Sequence, residues 1–176
     1  MKVIGITGGV GSGKSAVLKL LEEEYHAVVV QLDEVAKALQ RKGTPCWKAI
    51  VEVFGREILD ENEELDRKKL AQIVFQSSEK LEQLNGIVHP AVKQQVLLDI
   101  EEKRKEKTEL YVLEAALLLE AGYAKICEET WFIYTEESVR RERLKASRGY
   151  SDCLLYTSDA GDDMQCVDLG GRRIIK

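Results

Sequence analysis

Residues 8–15 read Gly8-Gly9-Val10-Gly11-Ser12-Gly13-Lys14-Ser15, the spacing G-x-x-x-x-G-K-S. Before them runs Lys2-Val3-Ile4-Gly5-Ile6-Thr7, a short apolar stretch of the kind that makes a buried parallel strand. After them, residues 16–25 follow the 3.6-residue period of an amphipathic helix. Strand, glycine loop and helix in that order are the context in which this spacing carries chemistry. Glycines let the backbone curl so that successive N–H groups point into one concavity, which suits phosphate oxygens. A helix beginning near Gly13 adds its partially positive N-terminus to the same spot. Lys14 then reaches β- and γ-phosphates, and the Ser15 hydroxyl ligates Mg²⁺. A glycine turn with an incidental Lys-Ser is the bland alternative, and the flanking elements argue against it. The expectation is a binder of a nucleoside triphosphate.

The rest of the chain supports an α/β reading. Further strands are predicted over 27–32, 110–113 and 130–134, each short, apolar and β-branched or aromatic. Helical periodicity separates them, which predicts a parallel sheet flanked by helices. Between Asp33 and Leu110 the spacing predicts helices over 34–41, 47–54, 66–75 and 78–105, with Pro90 marking a break or a new start. That is too much helix for one crossover and reads as a helical subdomain inserted over 34–109, a natural place for a second substrate. With 176 residues one domain with a real core is expected, and the net charge of −5 argues against broad nucleic-acid binding. Cys46, Cys127, Cys153 and Cys166 form no C-x-x-C pair, and His26 and His89 are the two histidines. Free thiols, no zinc site and a reducing cytoplasm are therefore expected. Absence of a signal peptide and of a membrane span is expected too, since the chain opens on a strand and carries no run of about 18 apolar residues.

The last helix is predicted to begin near Glu136 and carries Arg140, Arg141, Arg143, Lys145 and Arg148. Such a helix is ordinarily a solvated face. Here it follows a strand whose C-terminal end is expected on the loop's side of the sheet, where open α/β sheets bind ligands. At least one arginine is therefore expected on phosphate. Arg143 and Arg148 are the candidates, the latter because Arg148-Gly149 closes the helix.

The glycine loop, Asp33 at the end of the second strand, Leu84-Asn85-Gly86-Ile87-Val88-His89-Pro90 and Glu114-Ala115-Ala116-Leu117-Leu118-Leu119-Glu120 together resemble the dephospho-CoA kinase family. Arg143-Leu144 followed by Ser147-Arg148-Gly149-Tyr150-Ser151 fits the lid region of that family. The resemblance runs in order over residues 1–152, and the Leu-Asn to His-Pro segment is its most discriminating part. It implies transfer of the γ-phosphoryl group of ATP to the ribose 3′-hydroxyl of dephospho-CoA, the last step of coenzyme A synthesis. It also implies a nucleoside-monophosphate-kinase-like core, a helical acceptor-binding domain and a lid over 136–152. Asp33 matches the aspartate that positions or deprotonates the hydroxyl, and a carboxylate near a triphosphate can do so. The structural alternative is an N-cap for a helix starting at Glu34. The resemblance further implies that Lys37 and His89 fall on the substrate side, the alternative for His89-Pro90 being a structural turn, and that Glu114 steadies Mg²⁺ through water, while Glu120 caps or pairs locally. Two departures stand out: Ala116 replaces a usual proline, and Lys37 replaces a common arginine, keeping the charge but losing the planar fork.

After Ser151-Asp152 the resemblance stops. Residues 153–176 match none of the lid helix, strand and closing helix expected there, and read as a non-native tail, with the final strand and helix missing. Residues 164–169 are apolar enough to pair as a makeshift strand. Competing readings are a GTPase switch, which lacks an N-K-x-D guanine reader, another nucleoside or nucleotide kinase, and a truncated, non-catalytic nucleotide-binding form. A monomer acting on a small molecule is expected, without a nucleic-acid or membrane partner.

Overall fold

The computed structural model describes residues 1–116, 118, 122–148 and 173–175. The first strand, β1 (Lys2–Thr7), is buried at every residue after Lys2, as a strand covered on both faces must be. It feeds α1 (Lys14–Tyr25), which turns Leu18 and Leu21 inward. There follow β2 (Val28–Gln31), α2 (Leu32–Leu39), α3 (Pro45–Phe54), α4 (Arg67–Phe75) and α5 (Ser78–Lys105). The chain then gives β3 (Leu110–Glu114), β4 (Glu129–Ile133), α6 (Glu137–Arg148) and β5 (Arg173–Ile175). Two compact units result: residues 1–29 with 107–176, and residues 30–106.

In the first unit the sheet order is β2-β3-β1-β4-β5. β1 pairs in parallel with β3 on one side (Ile4 opposite Val112) and with β4 on the other (Ile6 opposite Trp131). The loop after β1 therefore leaves the C-terminal end of a central strand, with β3 and β4 on either side. That is the switch point at which open α/β sheets bind ligands. Ile4, Ile6, Leu18, Leu21, Ala27, Val112 and Ile133 form the core beneath it, with Trp131 packed against them.

Beside β4, Arg173–Ile175 pair in parallel, Phe132 opposite Ile174. Two consecutive isoleucines have the β-propensity such an edge needs. Residues 164–169 lie outside the described residues.

In the second unit α2, α3 and α4 pack on α5. The buried face of α5 is Val88, Val92, Val96 and Ile100, one residue every four. Cys46, Ile50 and Phe54 of α3 and Leu70 and Val74 of α4 are buried in turn. Caps set the helix starts: Thr44 Oγ1 accepts from the Trp47 N–H with Pro45 in the first turn, and Asp66 accepts from Lys68 and Lys69. Pro90 does not break α5, contrary to the sequence rule. Its ring faces the carbonyl of Gly86 four residues earlier, and both residues are exposed, so water can take the carbonyl that loses its N–H.

Candidate active site

Gly13 N-caps α1 at φ 94°, and Gly11 sits at φ 79°, both left-handed conformations that a Cβ disfavours. Along the loop each carbonyl from Gly8 to Ser12 accepts from a side chain. The Lys14 ammonium donates to Gly8 O and, at 3.1 Å, to Gly9 O. Arg140 Nε donates to Val10 O at 3.2 Å, and Arg143 Nη1 reaches Gly11 O at 3.5 Å, the long limit of such a bond. Thr135 Oγ1 donates to Ser12 O at 2.7 Å. In a trans peptide the next N–H points opposite to the carbonyl, so fixing these carbonyls also aims the amides. Among the described residues the buried Ser12 Oγ finds no hydrogen-bond partner, which leaves a hydroxyl donor within the loop suited to an anion.

Helix α6 lies on this loop through one face. Arg140, Arg143 and Leu144 stand at i, i+3 and i+4, and the buried Leu144 packs beside the Gly11 backbone. The structure thus brings Arg143 to the loop, with Arg140 beside it. The Arg148 side chain and Glu120 lie outside the described residues. Glu114 ends β3 in register with Ile6, one residue before Thr7 and the loop. Thr7 Oγ1 donates to Ala116 O at 3.0 Å, tying the chain after β3 to the end of β1. Sequence reasoning noted Arg140 without choosing it and missed Thr135 and Leu144. The available signal was the shared helical face of 140, 143 and 144.

Asp33, Lys37 and His89 belong to the second unit. Asp33 is neither a strand end nor an N-cap: β2 stops at Gln31, Gln31 caps α2, and Asp33 is exposed in the first helical turn. Leu32 turns into the interior, which starts the helix earlier than the sequence reading placed it. An acidic residue there is favoured by the helix dipole. Lys37, one turn on, pairs with Glu34. That hydrogen bond and its charge, with Arg67 and Arg41 farther off, hold the Glu34 carboxyl below its ordinary range. His89 is exposed on α5. Cys46 and Cys127 are free; burial pushes the Cys127 thiol up to about 11, so it stays protonated and unreactive at neutral pH.

A glycine loop at the switch point of a parallel sheet, gripped by an arginine-bearing helix, defines a P-loop kinase. The match to known proteins narrows this class. The chain belongs to the dephospho-CoA kinase family, whose model matches residues 2–154. The dephospho-CoA kinase of Enterococcus faecalis is 41% identical over 145 residues, 82% of this chain and 72% of that protein. That of Carboxydothermus hydrogenoformans is 36% identical over 151 residues, 86% of this chain and 73% of that protein. A Thermus thermophilus crystal structure superposes with a TM-score of 0.77 at 28% identity, covering 99% of this chain and 88% of that one. The P-loop kinase fold is shared with a Campylobacter jejuni dephospho-CoA kinase, TM-score 0.68 at 24% identity, covering 100% and 88%. The family match ends at residue 154, close to where the sequence departs from the family pattern.

Proposed function

We propose that this chain transfers the γ-phosphoryl group of ATP to the ribose 3′-hydroxyl of dephospho-CoA. The observation that carries this reading is the loop of residues 8–15, its carbonyls held by Lys14, Thr135, Arg140 and Arg143, in a chain of this family. In the reaction the hydroxyl oxygen bonds to the γ-phosphorus as its bond to the β,γ-bridging oxygen breaks, and ADP leaves. The transition state is loose, so catalysis is positioning plus charge stabilisation. Loop amides and the Lys14 ammonium hold the β- and γ-phosphates, and Arg143 and Arg148 offset charge on the transferring group. Asp33 accepts the hydroxyl proton as the new bond forms. Lys37 and His89 contact the acceptor, the helical insertion over 34–109 forms its binding part, and 136–152 serve as the lid of a kinase domain spanning 1–152.

Mg²⁺ fits the residues present. Glu114 ends β3 in register with Ile6, close to the start of the loop that carries Ser15. A hydroxyl and a nearby carboxylate are the hard oxygen donors such a cation takes while keeping several waters. The Ser15 hydroxyl would hold the ion directly, and Glu114 would do so through water. When bound, the ion neutralises charge on the β- and γ-oxygens. The reaction is a cytoplasmic one, carried out by a monomer. Among the described residues no helix is long and apolar enough to cross a membrane.

Mass-spectrometric detection of coenzyme A, after the chain is incubated with Mg-ATP and dephospho-CoA, tests the proposal. Product that disappears in Lys14→Ala is the expected result. ATP binding without product in the wild type would sink the catalytic reading and leave a nucleotide-binding module.

A further inference from the structure

Thr135 stands in the short link between β4 and α6, two residues past the end of the strand. The chain just before it is already set against the glycine loop. Thr7 is in register with Phe132. The next residue on each side, Gly8 and Ile133, approach so closely that a Cβ on Gly8 would lie 2.4 Å from the Ile133 carbonyl oxygen. The end of β4 is thus a fixed wall for the loop, and Thr135 Oγ1 extends that wall by donating to Ser12 O at 2.7 Å.

That hydrogen bond falls on a peptide that needs it. A peptide plane turns over through ψ of one residue and φ of the next, and Gly13 after Ser12 has no Cβ to bar the turned form. The Ser12 N–H is held within the loop by Gly9 O at 3.3 Å, so the plane on the C-terminal side of Ser12 is the one left to fix. A trans peptide sets its N–H opposite its carbonyl, so holding Ser12 O fixes the direction of the Gly13 N–H at the start of α1. Lys14 and Arg143 also hold loop carbonyls, but as cations proposed for phosphate they exchange those carbonyls for the anion as it enters. A threonine hydroxyl carries no charge and keeps its carbonyl. We infer that Thr135 is a positioning residue for phosphoryl transfer, which acts through the Ser12–Gly13 peptide to keep the Gly13 N–H on the triphosphate while the cations turn to it. The inference rests on the triphosphate-binding loop of the function proposed above and adds a residue from outside that loop.

The test compares the full chain with Thr135→Val, which keeps the shape of this half-buried side chain and removes its hydroxyl, and with Thr135→Ser, which keeps the hydroxyl. Calorimetric titrations with Mg-ATP and with inorganic triphosphate are expected to show both affinities falling about threefold to tenfold in the valine variant, the worth of one neutral hydrogen bond. The serine variant is expected to bind like the wild type. The ¹⁵N amide resonance of Gly13, read without nucleotide, is expected to shift in the valine variant and to return in the serine one. In coenzyme A formation the KM for ATP is expected to rise by the same factor in the valine variant, with the KM for dephospho-CoA unchanged. Equal triphosphate affinity in valine variant and wild type, a Gly13 resonance that stays in place, or a serine variant no better than valine would each overturn the inference. A wild type that forms no coenzyme A, while triphosphate affinity and the Gly13 resonance still follow the hydroxyl, would overturn the acceptor reading and leave the positioning role standing.

Discussion

Replacing Gly11 with alanine places a Cβ 3.1 Å from Leu144 Cγ, 3.3 Å from its Cδ1 and 3.4 Å from the Arg140 carbonyl oxygen, at φ +79°. The left-handed backbone alone costs an L-residue about 1–2 kcal/mol. Overpacking against Leu144 adds about 1–3 kcal/mol, because that side chain is 4% exposed and has little room to give. Leu144→Ala by itself empties a buried site and costs about 2–5 kcal/mol. In the double variant the overlap with Leu144 is gone and the new methyl fills part of the hole. The double variant is therefore expected to be more stable than the sum of the singles by about 1–3 kcal/mol. Rescue is incomplete, since the φ strain and the contact with the Arg140 carbonyl remain. Urea unfolding of all four proteins measures this, with equal m-values as the check that the cycle compares like states. Additivity within about 0.5 kcal/mol would refute the reasoning, because it would mean that α6 does not rest on the loop at Gly11.

Asp33→Asn is expected to lower kcat by about 10²–10⁴-fold with ATP affinity unchanged; loss of both together would make Asp33 a structural residue of the first turn of α2. Asp66 gives a pH prediction. Its carboxylate accepts the Lys69 N–H and then that of Lys68, which holds its pKa below the ordinary value. A depressed folded pKa contributes stability above the unfolded value, lost as pH falls through the ordinary aspartate range and on through the lower folded one. The urea midpoint of the wild type should therefore drop over that acid range more than that of Asp66→Asn, and parallel curves would remove the cap from the account.

What the sequence showed, and what it hid, divides by range. The loop was legible because strand, glycines, Lys14 and helix are contiguous, and strands buried on both faces announce themselves as apolar runs. The grip on the loop was not legible, because Thr135 meets Ser12 across 123 residues of chain, and no local rule carries such a pairing. Pro90 was misjudged for the opposite reason. The rule against proline in helices is local, and what relaxes it is the exposure of Pro90 and Gly86 on the outer side of α5. Asp33 shifted from strand end to helix because burial of Leu32, a tertiary fact, decides where α2 begins. The edge strand Arg173–Ile175 is too short for any pattern to single out.

The contacts on the loop also divide the labour among its holders. Glycines leave the backbone free to curl, but that freedom has to be removed before the amides can face one anion, and removal costs entropy. Lys14 and Arg143 bear charge and are proposed for phosphate, so their hold on Gly8, Gly9 and Gly11 competes with that role. Thr135 is neutral, and its bond to Ser12 at 2.7 Å is the shortest of those with a normal length. It can keep the Ser12 peptide in place whatever the charge state of the site, which aims the Gly13 N–H at the start of α1 where the helix dipole also acts. Arg140 does the same for Val10 from the exposed side. A motif of eight residues thus names the groups proposed to meet phosphate, while the groups that keep them aimed come from the end of β4 and the face of α6.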